Sequence, residues 1–203
     1  MGRLIKTAST SGASSTAAGL STSDVNTLIQ GKTALEYIKT LTFTGQITHI
    51  TFDDADVFDW DTYSQIKFSG RNIRKRQGSH PAFQLRYGNA AYSMSYINHY
   101  ANTYNNTSNQ NIIYSFHQVG QYHNISFDIT IHYNNPRLSA NWNTYMGQTG
   151  GYNEQHNWGS GFYGSATGGL TGIKFYNFQT DTASGGDDKI EAFGIRRDTK
   201  RSS

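Results

Sequence analysis

From Leu35 onward, apolar and polar residues alternate in short runs, and turn residues separate the runs. Successive side chains of a strand point to opposite faces, so a period of two predicts strands with one buried face. Leu35 to Phe43 is the first run, followed by a Thr44-Gly45 turn. Ile47 to Phe52, Tyr63 to Phe68, Phe83 to Tyr87 and Tyr92 to Tyr96 continue the pattern. So do Ile112 to Gln118, Ile125 to Tyr133, Ile173 to Asn177 and Ile190 to Ile195. Gly and Asn between the runs favour tight antiparallel connections. The expected fold is all-β: an antiparallel, jelly-roll-like β-sandwich.

Two stretches interrupt the alternation. Residues 98–111 are rich in Asn, Thr and Tyr, and residues 134–172 are rich in Gly and Asn. Both are expected to be long loops, and loops of that length in a compact domain usually serve a function or a partner. Before Leu35 the character changes. Residues 1–22 carry Arg3, Leu4, Ile5 and Lys6, then a Ser/Thr/Ala/Gly run with no apolar face. Such an arm cannot bury itself and gains order only on a partner. Ser23 can cap a short helix whose apolar stripe is Val25, Leu28 and Ile29, ending at Gly31. The expected organisation is a partner-docking arm and short helix over residues 1–34, then a β-sandwich over 35–203.

Composition fits this picture. Hydrophobic residues are 35% of the chain and charged residues only 15%, but aromatics reach 14%, with 14 Tyr and 11 Phe. Large rings bury about 150–250 Å² each, so they can supply the core that few aliphatics provide. Cysteine is absent, which removes disulfides and thiolate metal sites. No apolar run is long enough for a membrane helix, and the N-terminus lacks the apolar core of a signal peptide. The net charge of +3 is too mild to indicate nucleic acid.

Several central pieces resemble a domain of bacteriophage virion proteins. They are Tyr37-Ile38-Lys39-Thr40, Ile50-Thr51-Phe52, Tyr63-Ser64-Gln65-Ile66-Lys67-Phe68, Leu85-Arg86-Tyr87 and Ala192-Phe193-Gly194-Ile195-Arg196. The resemblance spans about residues 35–196 and consists of strand patterns. It implies a jelly-roll module on a phage particle, in a tail, fibre or head-decoration role. Residues 1–22 and 134–172 stand outside the pattern.

Candidate chemistry is sparse. The run Asp53 to Asp61 has enough carboxylates to ligate calcium, but it lacks the glycine and terminal glutamate of an EF-hand loop and equally reads as an Asx-turn connection. Glu154 beside His156 is the one place to look for a glycosidase acid. Arg71, Arg74, Lys75 and Arg76 with His80 form one basic cluster, and Arg196, Arg197, Lys200 and Arg201 another. Phosphate binding and plain solvation both account for them. Trp142, Tyr145, Tyr152, Trp158 and Tyr163 in the Gly-rich stretch are the candidate recognition residues. Rigid aromatics stack on sugars and also anchor protein interfaces.

The expectation is therefore a virion structural protein, tail or tail-fibre-associated, attached through its arm to other virion proteins. The alternatives are a capsid decoration protein and a carbohydrate-binding module that contacts a host-surface glycan. A homo-oligomer is expected from virion symmetry. Enzymatic activity, a catalytic set, a bound metal, a cofactor, a membrane and a nucleic-acid partner are not expected.

Overall fold

The computed structural model describes residues 35–43, 48–75, 81–100, 103–110, 112–113, 123–148, 155–179 and 189–197. The arm residues Arg3, Leu4, Ile5 and Lys6, the helix stripe Val25, Leu28 and Ile29, and Tyr152 lie outside the described residues.

The described chain forms thirteen strands. They are β1 (Leu35–Thr42), β2 (His49–Phe52), β3 (Tyr63–Lys75), β4 (Ala82–Tyr87), β5 (Ala90–Ala91), β6 (Met94–Tyr100) and β7 (Thr103–Gln110). Then come β8 (His123–Asn134), β9 (Arg137–Gln148), β10 (Gln155–Tyr163), β11 (Gly172–Tyr176), β12 (Phe178–Gln179) and β13 (Lys189–Arg196). One sheet runs β1-β13-β3-β8-β9-β10-β6-β7, with β12 also pairing β3, and the other runs β2-β11-β4-β5. All pairings are antiparallel.

The order β1-β13-β3-β8 facing β2-β11-β4 is a jelly roll. The chain crosses from one sheet to the other after β1, β2 and β3 and returns the same way through β8, β11 and β13. The sheets are joined by rings. Phe68 of β3 meets Phe52 of β2 at 5.5 Å and Phe175 of β11 at 5.9 Å between centroids. Phe127 of β8 meets Phe175 at 5.4 Å and stacks on Phe178 at 5.6 Å. Phe68, Phe175 and Phe178 are fully buried with Ile66, Ile129, Ile131, Leu85 and Ile173. Edge-to-face and offset ring pairs add to the area term, so a chain poor in aliphatics still closes a core.

The two expected loops are a correction to the sequence reading. Residues 98–111 contain the end of β6 and all of β7, and residues 134–172 contain β9 and β10. These two insertions pair with each other, since β10 runs beside β6 from Asn157↔Tyr100 to Phe162↔Ser95. Together they add β9, β10, β6 and β7 to the β8 side of the jelly-roll sheet. Their glycines make space for rings. A Cβ on Gly159 would lie 2.4 Å from the Trp142 ring, and one on Gly161 would lie 2.9 Å from Tyr96 Cβ. Glycine inside a strand often marks such a close approach rather than a loop.

Among the described residues of the second stretch, 164–171 between β10 and β11 form a loop, and aromatic polar tips hold it. Trp60 Nε1 donates to Leu170 O at 2.7 Å, Tyr92 Oη to Gly169 O at 3.0 Å and Tyr133 Oη to Ala166 O at 3.0 Å. Gly169 sits at φ 74°, where a side chain would be strained. Burial pushes the Tyr92 phenol up to about 12.

Candidate binding surface on the outer face of the long sheet

The face of the long sheet that points away from the core divides into two parts. Over β1, β13, β3 and β8 it carries ion pairs, Lys67 with Asp128 at 3.0 Å and Lys189 with Glu191 at 2.9 Å, and at the β1 edge the exposed Leu35 and Tyr37. Arg196, which binds Glu36 through both Nε and Nη2 at 2.6 and 3.0 Å, and Lys39, which pairs with Asp54, lie on the register side of Gly194 and Ala192, away from this face. Over β9 and β10 the outward residues are Arg137, Ser139, Asn141, Asn143 and Tyr145, then His156, Trp158, Ser160 and Phe162. Beyond Arg137, at the Phe162 end, none is an Asp, Glu, Lys or Arg.

Three of these are large and exposed: Tyr145 at 53%, Trp158 at 48% and Phe162 at 66%. Tyr145 and His156 face each other across the strands and stack with centroids 4.4 Å apart and planes 2° from parallel. Asn143 locks the pair. Its Oδ1 accepts from His156 Nε2–H, and its Nδ2 donates to Tyr145 Oη at 3.4 Å. At about 3.3 Å per residue, His156 to Phe162 forms a platform about 20 Å long.

The inner face of the same strands admits buried polar groups among its apolar residues. Asn98 of β6, Thr144 of β9 and Asn157 of β10 are buried there at 6%, 0% and 0% exposure. Trp142 Nε1 donates to Asn98 Oδ1 at 3.1 Å, and Thr144 Oγ1 donates to Asn157 O at 3.2 Å. The Asn157 side-chain amide has no hydrogen-bond partner at either atom among the described residues. This part of the sheet thus sets buried polar groups among the inward Leu138, Trp142, Met94 and Tyr96, and carries aromatics on its outer face as well.

The candidate residues divide accordingly. Tyr145 and Trp158 stand on the platform. Trp142 does not. It is 3% exposed and wedged between Phe83 at 5.4 Å and Tyr96 at 5.8 Å, which corrects its assignment to a recognition surface. Tyr163 is also turned inward, half-buried against Tyr92 at 5.2 Å. Trp142 and Tyr163 belong to the inward parity of β9 and β10, a parity that a loop assignment does not possess. His156, Phe162, Asn141 and Asn143 were missed for the same reason. The alternation His156-Trp158-Ser160-Phe162 is the signal that finds the β10 residues.

The other candidates resolve differently. The acidic run forms self-satisfied turns: Asp54 Oδ1 accepts from the Asp56 amide, and Asp59 Oδ1 from those of Asp61 and Thr62. The Lys39 hydrogen bond, then the Asp56 amide, holds the Asp54 carboxyl below the usual range, and Thr62 does the same for Asp59. Among the described residues no group of three or more His, Asp or Glu is arranged to hold a metal. Arg196 and Arg197 are engaged within the chain, Arg197 with the carbonyl of Trp60 at 2.6 Å. Glu154 lies outside the described residues. No family model, curated protein or solved structure matches this chain.

Proposed function

We propose that this chain is a structural component of a bacteriophage virion, tail or tail-fibre-associated, joined to its neighbours by the N-terminal arm and carrying a jelly-roll sandwich. One observation carries the reading. Every piece that resembles the phage domain falls on a jelly-roll strand: Tyr37 to Thr40 on β1, Ile50 to Phe52 on β2, Tyr63 to Phe68 on β3, Leu85 to Tyr87 on β4 and Ala192 to Arg196 on β13. None falls on β9, β10, β6 or β7. Jelly rolls recur in viral coat and lectin domains. A fold by itself does not set a function, so the argument rests on this coincidence of motif and strand.

Deleting residues 1–22 tests the attachment. The truncated protein is expected to fold, with unchanged near-UV circular dichroism, and to be absent from purified particles by mass spectrometry. Incorporation of the truncated chain at the full-length level would overturn the reading. Copy number in intact particles separates the addresses: a number on the scale of the capsid lattice means head decoration, and one on the scale of a ring or fibre set means the tail.

A further inference from the structure

We propose that the β9–β10 platform binds an uncharged glycan laid along β10, with Trp158 and Phe162 stacking on sugar rings and Asn141, Asn143 and the Tyr145–His156 stack holding its hydroxyls. The inference goes beyond the virion assignment and does not depend on it.

The first argument is the set of large rings that this face leaves exposed, Tyr145, Trp158 and Phe162. Exposed rings forgo burial, and a local break of the inside–outside rule is expected at a functional site. The second argument is the chemistry of the face. A pyranose offers an apolar C–H face and a rim of hydroxyls. The platform alternates in the same way: His156, Trp158, Ser160 and Phe162 along one strand, with Tyr145, Asn143, Asn141 and Ser139 directly opposite. An Asn amide both donates and accepts, which suits a hydroxyl. The third is charge. From Ser139 to Tyr145 and from His156 to Phe162 the platform holds no Asp, Glu, Lys or Arg, with Arg137 beyond its Phe162 end, while the neighbouring part of the same face carries the Lys67–Asp128 and Lys189–Glu191 pairs.

A protein partner fits less well. A stable protein interface buries about 800 Å² on each partner around a contiguous apolar centre. Here Ser160 separates Trp158 from Phe162 on β10, with Ile97 of β6 beside Ser160, and Asn143 and Ser139 are the ring partners on β9. The rings are flanked by polar groups along β9, which suits a ligand that alternates apolar and hydroxyl faces. Pre-organisation adds to this, because the Asn143 bonds fix the Tyr145 and His156 rings before any ligand arrives.

The test uses the full-length protein on an array of neutral oligosaccharides of hexose and N-acetylhexosamine, alongside sialylated and sulfated counterparts. Any neutral hit is then titrated by intrinsic fluorescence. Trp142 is buried and Trp60 half-buried, so the exposed Trp158 reports the contact. Saturable binding of a neutral oligosaccharide is expected, with a blue-shifted emission that Trp158→Phe abolishes. Trp158→Ala and Phe162→Ala are each expected to weaken it roughly tenfold or more without shifting the thermal midpoint. Raising salt to 1 M should leave affinity within about twofold, because no charge takes part. The proposal is overturned if no neutral oligosaccharide is retained or if only anionic glycans bind. It also fails if both Ala variants bind like the parent, or if Trp158 is shielded by self-association alone. Each of these results leaves the truncation experiment, and with it the virion reading, unaffected.

Discussion

The two halves of the long sheet differ in what their faces admit. Over β1, β13, β3 and β8 the inner face is apolar, and the outer face carries the Lys67–Asp128 and Lys189–Glu191 pairs with Leu35 and Tyr37 exposed at the β1 edge. Over β9, β10 and β6 the inner face sets Asn98, Thr144 and Asn157 among Leu138, Trp142 and Tyr96, and the outer face carries Tyr145, Trp158 and Phe162. The first half reads as a scaffold, because its inward rows of Ile and Phe are what burial alone would select. The second half keeps an apolar inner face but admits buried polar groups there and places rings on the outside as well. The difference shows that an insertion can extend a sheet by hydrogen bonding while relaxing its amphipathic pattern.

The sharpest way to break the contrast is to truncate one core ring in each half. Phe68→Ala and Trp142→Ala are each expected to cost about 3–5 kcal/mol. Their reach should differ. Phe68 touches both sheets of the jelly roll through Phe52 and Phe175, so its loss lowers stability throughout. Trp142 joins β9 to β4 and β6 through Phe83 and Tyr96, so its loss should open β6 and β10 first. Native-state hydrogen exchange distinguishes the two, and identical exchange patterns would mean that the halves are one cooperative unit.

A smaller effect is expected where the halves meet the 164–171 loop. Tyr92→Phe removes the hydrogen bond to Gly169 and should cost about 1 kcal/mol by chemical denaturation. The same phenol gives a pH signature. Its folded-state value is raised to about 12, above the unfolded value of about 10. Its neutral form is therefore favoured by folding. That contribution is complete below pH of about 10 and is lost as pH rises through about 12. The parent should weaken across that alkaline window and Tyr92→Phe should weaken less. Parallel alkaline curves for the two proteins would show that Tyr92 ionisation is not linked to folding.

The smallest change should have the opposite sign. Asn157 is fully buried with its amide unpartnered among the described residues, so Asn157→Leu is expected to raise stability by up to about 1 kcal/mol. A comparable loss instead would mean that the amide is satisfied in solution, and the inner face of the added half would then be a bonded polar network.

Much of the scaffold was legible in the sequence. The alternations at Tyr63 to Phe68, Ile125 to Tyr133 and Ile190 to Ile195 lie within β3, β8 and β13, because a two-residue period needs only local order to be visible. Sandwich class followed, since antiparallel runs rich in buried rings must close on a second sheet. The sequence could not specify that residues 98–111 and 134–172 contain β7, β9 and β10. Asn, Ser and Gly have low strand propensity, and what makes them strands is the neighbour each finds in the other insertion. Gly159 looks like a loop residue until Trp142 is seen to fill the space beside it. Tertiary pairing alone set the parity of β9 and β10, and parity decides which aromatics face out. Period and composition are properties of one segment, whereas register and facing belong to pairs of segments distant in the chain.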